Sequence, residues 1–557
     1  MKMLPTAMSL FATLCSASTL LGIPVEIYYY GISYLYFILC WLIASYVASH
    51  IFIPKFRELG YISLYTYVEK RFSLTLRISV TLTFIISFML FMAVILYGPS
   101  LALSQVIGID LWLAIVSSGI ICTFYTSIGG MKAVIWTDVI QTLIIFSGVL
   151  LSIVFGFMDT GGVKKVFETA YLNQRMNLFN ISFDPTVRYT VWSLMIGGTF
   201  YATSCSCILQ TQTQRYMSVN STRDAQKATW INNIMLGILL FLCCIVGLLV
   251  HAKYHDCDPL GAKLVSKSDQ IYPLFVMETF KRFPGLTGLF MASILSGSLS
   301  SISSGVNSIT AVIIEDIWKR LTPNQPLSDK TQTIISKYTS FTLGVITVLL
   351  AFIVSYLPSI LALVYSVIGT LTAPIFGIFL LGFYFPRVNN RSALIAFFIS
   401  LVFQLWVLIG ASFTVHQQLR RSLPTSVNGC TSLNITLKTP LIISQNLSSP
   451  NFFLPLYSIS FIWYAFNGVS ITVIMGLACS LLWYNSKSDI EKIDQSLLMS
   501  CRRNACCGSL STKSLDNPEV TMAVNSQGTR NKDAEHEHMD PTATNKKELV
   551  TLLSSEN

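Results

Sequence analysis

The most informative stretch of this chain reads Gly297-Ser298-Leu299-Ser300-Ser301-Ile302-Ser303-Ser304-Gly305-Val306-Asn307-Ser308, inside an apolar segment long enough to cross a bilayer. On a helix of 3.6 residues per turn, the hydroxyls at positions 300, 301, 304 and 308 fall on one side. A helix in hydrocarbon carries such a stripe when it meets another helix, water or an ion. Close packing of small residues explains any single serine. The whole stripe predicts a path for Na+, which binds neutral oxygens weakly enough to leave again.

Composition places the chain in a membrane. Hydrophobic residues make up 53% of its 557 residues and charged residues only 11%, against about a quarter charged in soluble domains. The first residues lead directly into a long apolar segment without a small-residue cleavage site, which predicts a span and not a removed signal peptide. The net charge of +10 comes from Lys and Arg in short loops and the tail, so it gives no reason to expect nucleic-acid binding.

Windows of roughly twenty apolar residues predict about twelve membrane spans. The basic loops alternate with less basic ones, and this pattern places both termini in the cytoplasm. The predicted spans cover residues 5–30, 31–54, 76–104, 110–127, 132–158, 190–214, 228–251, 284–314, 337–357, 360–385, 391–413 and 456–484.

Modification sites agree with this topology. Sequons at Asn180, Asn434 and Asn446 fall in predicted outer loops and are expected to carry glycans, whereas the sequon at Asn220 falls inside. Cys257 and Cys430 are the only cysteines in predicted outer loops, where disulfides are allowed. We predict that they pair, with two free thiols as the alternative, since sequence does not show their separation.

The last part of the chain differs in composition from the rest. From about residue 485 it is rich in Ser, Asn, Lys, Glu and Thr, which predicts a disordered cytoplasmic tail. The sequence contains no nucleophile elbow, phosphate loop or zincin motif, and it therefore gives no case for an enzyme.

Two predicted spans, the first and the sixth, combine hydroxyls with helix breakers. The first carries Ser16, Ser18 and Thr19 before Pro24, and the sixth carries the pair Gly197-Gly198 before a run of polar residues. Breakers beside hydroxyls predict unwound backbone whose carbonyls can bind a cation. Interruptions at the first and sixth positions are expected from an inverted repeat of five plus five spans. A kinked packing helix is the alternative for either span alone.

One acid, Asp138, opens the predicted fifth span. Acids are rare in membrane helices and often mark an ion path. The alternative is that Asp138 only complements a helix N-terminus near the cytoplasmic surface.

The chain resembles the sodium/solute symporter family in three motifs taken in order. These are Gly129-Gly130-x-Lys132-Ala133-Val134-x-Trp136-Thr137-Asp138-x-x-Gln141, then Gln214-Arg215, then Ser296-Gly297-Ser298-Leu299-Ser300-Ser301 with Asn307-Ser308. The likeness runs from residue 1 to about residue 484. It is nearest to the sodium-coupled monocarboxylate branch, with multivitamin and iodide transporters next.

The resemblance implies an all-α polytopic membrane protein with a leucine-transporter-type inverted repeat of five plus five helices. By alignment with the family, sodium would be bound by the carbonyls of Ala12, Cys15 and Gly297 and the hydroxyls of Ser300 and Ser301. Asp138 matches the family's acid on the ion path. The expected substrate pocket lies near Thr19, Gln210 and Thr372. Two departures touch it: Leu209 replaces an Asn of the monocarboxylate relatives, and Thr372-Ala373-Pro374 replaces their Gly-Gly-Pro.

The implied organisation has five parts. These are a first repeat at 1–158, an outer loop at 159–189, a second repeat at 190–385, two accessory spans at 386–484 with a glycosylated outer loop at 414–455, and the tail at 485–557.

The implied function is electrogenic, sodium-coupled uptake of a small organic anion such as lactate, pyruvate, butyrate or nicotinate across the plasma membrane. Na+ is then the coupling ion and no cofactor is expected. The partners are Na+, the anion and the lipid bilayer. A vitamin or iodide carrier is the first alternative. A sodium or solute sensor, or an ion leak, that moves no solute is the alternative from another class.

Overall fold

A computed structural model describes residues 2–321, 328–357, 359–413, 422–433, 454–483 and 493–499, which belong to one compact unit, residues 1–500. These described residues form helices, turns and loops without a strand. The α-helices are α1 Met3–Leu14, α2 Ile23–Tyr30, α3 Phe37–Val47, α4 Ile53–Leu59, α5 Thr66–Arg71, α6 Leu74–Ile107, α7 Leu111–Thr160, α8 Val163–Leu172, α9 Thr199–Ile208, α10 Gln210–Ser218, α11 Thr222–Tyr254, α12 Ile271–Thr279, α13 Pro284–Val312, α14 Lys319–Leu321, α15 Asp329–Val354, α16 Ile360–Tyr384, α17 Asn390–Phe413, α18 Leu454–Tyr457 and α19 Tyr464–Leu482. Short π-helical turns at Ser18–Gly22, Ala48–Phe52, Ser193–Gly198 and Ile313–Trp318 extend or join several of them.

The predicted count of about twelve spans is not confirmed. Within the described residues, nine helices are long and apolar enough to cross a membrane, and the bent pair Met3–Leu14 and Ser18–Tyr30 makes ten at most. The predicted fourth span is present as a shorter apolar helix, Leu111–Ser127. The predicted sixth span is divided at Leu209 into a helical segment at 191–208 and the nine-residue helix α10, and it is not among these membrane-crossing helices.

The predicted fourth and fifth spans are continuous as the helical element α7, which has 50 residues. A straight helix of that length would measure about 75 Å, more than twice the hydrocarbon thickness. The hydroxyls of Tyr125 and Thr137 are hydrogen-bonded to each other. Twelve residues of straight helix would place their Cα atoms about 18 Å apart, beyond the reach of both side chains. The element therefore turns back between these two residues.

The first span is broken, as predicted, but at Cys15 and not at the predicted breaker Pro24, which lies within helix α2. Helix α1 ends at Leu14, Cys15 takes an extended backbone conformation with ψ 99°, and helical structure resumes at Ser18 with a bend of 59°. The amides of Thr19 and Leu20 both bond to the carbonyl of Ser16. The sixth span is broken in the same way at Leu209, whose ψ is 125°. Interruptions of the first and sixth spans are therefore confirmed, although Gly197 and Gly198, the predicted breakers of the sixth span, lie within a helical turn.

Helix α13, which carries the serine stripe, packs along α7 and also contacts α1 and α6. Helix α1 lies against α7, α11 and α13, so the broken first span is enclosed by other helices. Gly297 permits the closest approach, because a Cβ atom there would lie 3.2 Å from the carbonyl oxygen of Cys15. Helix α16 packs between α6 and the two C-terminal helices α17 and α19.

The tail prediction does not hold for residues 493–499. They form a short 3-10 turn, Gln495–Leu497, whose neighbours Leu498 and Met499 are buried. The hydroxyl of Tyr67 donates to the carbonyl of Leu497 at 3.2 Å. Apolar burial explains the difference, since this segment holds the hydrophobic run Leu497-Leu498-Met499 within an otherwise polar tail. The remainder of the predicted tail lies outside the described residues.

Candidate sodium and solute site

The predicted sodium ligands lie on two helices that pack together, Ala12 and Cys15 at the end of α1 and Gly297, Ser300 and Ser301 on α13. Ala12 and Cys15 are fully buried there, in the last turn and at the cap of α1, where helix carbonyls lose their intrahelical partners. Gly297 lies against Cys15 across the helix interface. The hydroxyl of Ser301 donates to the carbonyl of Thr13 at 3.0 Å, which joins α13 to the same broken turn.

The hydroxyls of Ser300 and Ser301 both donate their proton within the protein. Ser300 donates to Oδ1 of Asp138 at 2.6 Å, and Ser301 donates to Thr13. A hydroxyl whose proton is engaged in this way keeps lone pairs on its oxygen. The set therefore consists of carbonyl and hydroxyl oxygens, which are hard neutral ligands and match the chemistry of an alkali cation.

Asp138 is fully buried and lies next to this set, away from any aqueous surface. Its Oδ2 accepts from Ser9 at 2.5 Å and lies 3.3 Å from a guanidinium nitrogen of Arg215. These contacts are compatible with the ion-path interpretation. Because α7 turns back before Thr137, Asp138 also lies near the start of the helical segment that follows, and both interpretations stay predictions.

Arg215 was not among the predicted site residues. Its Nε donates to Ser9 at 2.7 Å and its terminal nitrogen donates to Ser304 at 2.6 Å. The guanidinium therefore links α10 to α1 and α13 through hydrogen bonds and to α7 through a buried ion pair. The sequence signal was the motif Gln214-Arg215, although Arg215 lies one residue beyond the predicted sixth span.

A cavity of about 60 Å³ lies beside the break, enclosed mainly by the first, sixth and tenth spans. The hydroxyls of Tyr34 and Tyr365 lie 2.6 Å apart, and both residues line it. Thr13 and Ser16 line it as well, so the cavity adjoins the predicted sodium ligands.

Of the three predicted pocket residues, Thr19 lines this cavity, whereas Gln210 and Thr372 do not. The Gln210 amide instead binds the backbone of the loop before α5, at Leu64 N and Ile62 O. The Thr372 hydroxyl donates to a carbonyl of its own helix at 2.6 Å. The prediction is therefore corrected at these two positions in this conformation.

Thr211 and Gln212, in the first turn of α10, line the cavity that Gln210 was predicted to line. Both residues are fully buried and line the cavity. The Thr211 hydroxyl and both polar atoms of the Gln212 amide have no hydrogen-bond partner within the protein. Leaving such groups unpaired costs about 1–3 kcal/mol each. A bound solute would satisfy them.

The other predicted residues lie away from this centre. Cys257 and Cys430 form a disulfide with Cα atoms 5.1 Å apart. Asn180 is partly exposed and its amide donates to the carbonyl of Tyr189 at 3.1 Å. Asn434 and Asn446 lie outside the described residues.

Comparisons with known proteins identify the family of the chain. A family model described as the sodium:solute symporter family matches residues 1–400. The sodium-coupled monocarboxylate transporter 1 of Xenopus laevis is 35% identical, over 88% of this chain and 80% of that protein. The sodium-dependent multivitamin transporter of Oryctolagus cuniculus is 37% identical, over 86% of this chain and 76% of that protein.

Among solved structures, the substrate-bound, outward-open state of a Na+-coupled sialic acid symporter superposes with a TM-score of 0.68. It is 25% identical and covers 86% of this chain and 90% of the symporter. The family model, the relatives and the shared architecture agree with the broken helices and the oxygen-lined centre. The chain therefore belongs to the sodium:solute symporter family and is a sodium-coupled membrane transporter, not an enzyme.

Proposed function

We propose that this transporter carries small monocarboxylates, such as lactate, pyruvate, butyrate or nicotinate, into the cell through the plasma membrane together with Na+. The observation that carries the proposal is the pair of unpaired polar side chains, Thr211 and Gln212, in a small buried cavity beside the predicted sodium ligands.

Size favours monocarboxylates over vitamins. The cavity of about 60 Å³ is far below the 300–1,000 Å³ or so of sites for drug-sized ligands. A solute of a few heavy atoms requires little expansion of it, whereas biotin or pantothenate requires a much larger one. Sequence similarity does not separate the two classes, because the multivitamin relative is as similar to the chain as the monocarboxylate relative.

Hydrogen-bonding chemistry favours a carboxylate over iodide. Gln212 offers both a donor and an acceptor, and Thr211 offers a hydroxyl. A carboxylate accepts from the Gln212 amide nitrogen and the Thr211 hydroxyl, and the hydroxyl of lactate donates to the Gln212 amide oxygen. Iodide accepts hydrogen bonds only and leaves that oxygen unpaired, as do pyruvate and butyrate, so this argument favours a hydroxy acid such as lactate.

Charge explains the coupling. Among the described residues that line the cavity, none carries a positive charge. The nearby guanidinium of Arg215 already pairs with Asp138. The counter-charge for a bound carboxylate therefore comes from Na+ at the predicted ligands beside the cavity. Anion and cation stabilise each other, so that neither binds tightly alone. Two Na+ per anion would make the cycle electrogenic, at about 2.3 kcal/mol per charge and 100 mV.

The test is uptake of labelled lactate, nicotinate and biotin into oocytes, in sodium and in choline medium, by the natural chain and by Gln212→Met. We expect sodium-dependent uptake of lactate or nicotinate but not of biotin, and at least tenfold weaker uptake by Gln212→Met at equal surface abundance. Uptake of biotin by the natural chain would favour the vitamin alternative. Sodium currents without uptake of any solute would favour the sensor or leak.

A further inference from the structure

A second cavity of about 460 Å³ lies on the predicted outer side and is not used by the mechanism above. It is bounded by the end of the first span, the loop before α12, the start of α16, the end of α17 and the start of α19. None of its lining residues lines the central cavity. Its volume falls in the range of sites for small organic ligands.

Helix α16 separates the two cavities. Its residues Leu361 and Tyr365 line the central cavity, whereas Leu363 and Ser366 line the outer one. The opposite wall of the outer cavity includes Leu408 on α17, one of the helices after the two five-helix repeats. A ligand there would fill the space between α16 and α17.

The charged groups in this cavity are not equivalent. Both acids are already engaged: Glu26 accepts from Arg188 at 2.6 Å and from Tyr189 at 2.8 Å. Asp258 accepts from Tyr28 at 2.9 Å and from a backbone amide at 2.9 Å. The acids therefore have little remaining capacity to bind a cationic ligand.

Lys267 provides a donor, whereas Arg188, the other cation that lines the cavity, already pairs with Glu26. Its ammonium group donates to the carbonyls of Ser355 and Leu357 at 2.7 and 2.9 Å. An ammonium group has three protons, so one remains after these two bonds. The two carbonyls also hold the long side chain in place, which lowers the entropy lost when it binds a ligand.

We propose that the outer cavity is a second, modulatory site for an amphipathic carboxylate, with its head group at Lys267 and its apolar body against Leu363, Leu408 and Phe461. Its volume suits a ligand larger than the transported solutes, with a bicyclic or long aliphatic body. Because α16 also encloses the central cavity, a ligand wedged between α16 and α17 holds that helix in place. It slows transport without competing for the solute site.

Binding of tritiated 2-naphthoate to the purified full-length protein tests the site without relying on transport. We expect saturable binding in choline as well as in sodium medium, unchanged by Ser301→Ala, since no predicted sodium ligand lines this cavity. Affinity should fall at least tenfold in Lys267→Gln, which removes the ammonium group, and in Leu408→Trp, which fills the cavity. Val402→Trp is the matched control, because Val402 lies exposed on the same helix, away from the cavity.

Three results would overturn the proposal. These are unchanged naphthoate affinity in either cavity variant, an equal loss of affinity in Val402→Trp, or binding that requires sodium and disappears in Ser301→Ala.

Uptake assays then test the modulatory role, which rests on the proposed function. Naphthoate should lower the maximal uptake rate severalfold and leave the half-saturating solute concentration unchanged. Failure of the proposed function alone would abolish solute uptake but leave naphthoate binding intact.

Discussion

The hydroxyl of Ser300 donates a 2.6 Å hydrogen bond to Asp138, a residue 162 positions earlier in the chain. The other oxygen of the same carboxylate meets Arg215 on α10. Helix α10 also carries Gln212, whose amide lines the solute cavity. A short path of polar contacts therefore connects a predicted sodium ligand to the helix that would bind the solute, which gives the coupling a physical route.

Replacing the hydroxyls of the sodium ligands tests this part of the account. We expect Ser300→Ala and Ser301→Ala to raise the sodium concentration for half-maximal uptake about tenfold each, equivalent to about 1.4 kcal/mol. Ser298→Ala is the matched control, because that hydroxyl donates to Ile95 on α6 and not to the predicted site. If all three variants raise this sodium concentration equally, the serines contribute to helix packing alone.

Breaking the buried ion pair should destabilise the protein. Asp138→Asn leaves the guanidinium of Arg215 buried without a counter-charge, which typically costs about 3–5 kcal/mol. The double variant Asp138→Asn with Arg215→Gln removes both charges and should recover part of that loss. Thermal unfolding of the purified proteins in detergent measures it. If the destabilisation caused by Asp138→Asn and that caused by Arg215→Gln alone add up in the double variant, the two groups are not coupled.

Much of this centre could be predicted from residue patterns. The serine stripe and the helix breakers indicated where α13 meets the broken first span, because hydroxyls and breakers are unusual in lipid-facing helices. The choice of Gln210 over Gln212 was wrong for a geometric reason. Two residues are 200° apart around a helix, and the sequence of a nine-residue helix does not show which side is turned to the cavity. The count of twelve spans is not confirmed, because the fourth segment forms only a short apolar helix and the sixth is interrupted at Leu209.

The bond between Tyr34 and Tyr365 should restrain the outer side of the central cavity. Tyr365→Phe removes one hydroxyl of the pair and keeps the ring. We expect a severalfold faster reaction of Cys205, which lines the cavity, with a membrane-impermeant methanethiosulfonate added outside. The Cys205→Ser background shows which part of the labelling belongs to this thiol. An unchanged rate would mean that the tyrosine pair does not limit access.

Asp269 makes stability depend on pH. Burial raises the pKa of this carboxyl to about 6, although it accepts a hydrogen bond from the amide of Ile360. Because the pKa in the folded protein exceeds the ordinary value of 3.8, the stabilising contribution of the protonated form is complete below about pH 4 and is lost as the pH rises through about 6.

Asp269→Asn keeps an acceptor for Ile360 and removes the charge. Its unfolding temperature should exceed that of the natural protein by a few degrees at pH 7.5, and the difference should shrink toward pH 5. Asp224→Asn is the control, since that carboxyl lies in the first turn of α11 and is only partly buried. A difference that stays constant between pH 5 and pH 7.5 would contradict the raised pKa.

Binding of ²²Na⁺ to the purified protein, with and without lactate, tests the account most directly. Lactate should increase the apparent sodium affinity of the natural chain, and Ser300→Ala and Ser301→Ala should each weaken sodium binding about tenfold. Sodium binding of normal affinity in both variants, or an affinity indifferent to every monocarboxylate, would contradict it.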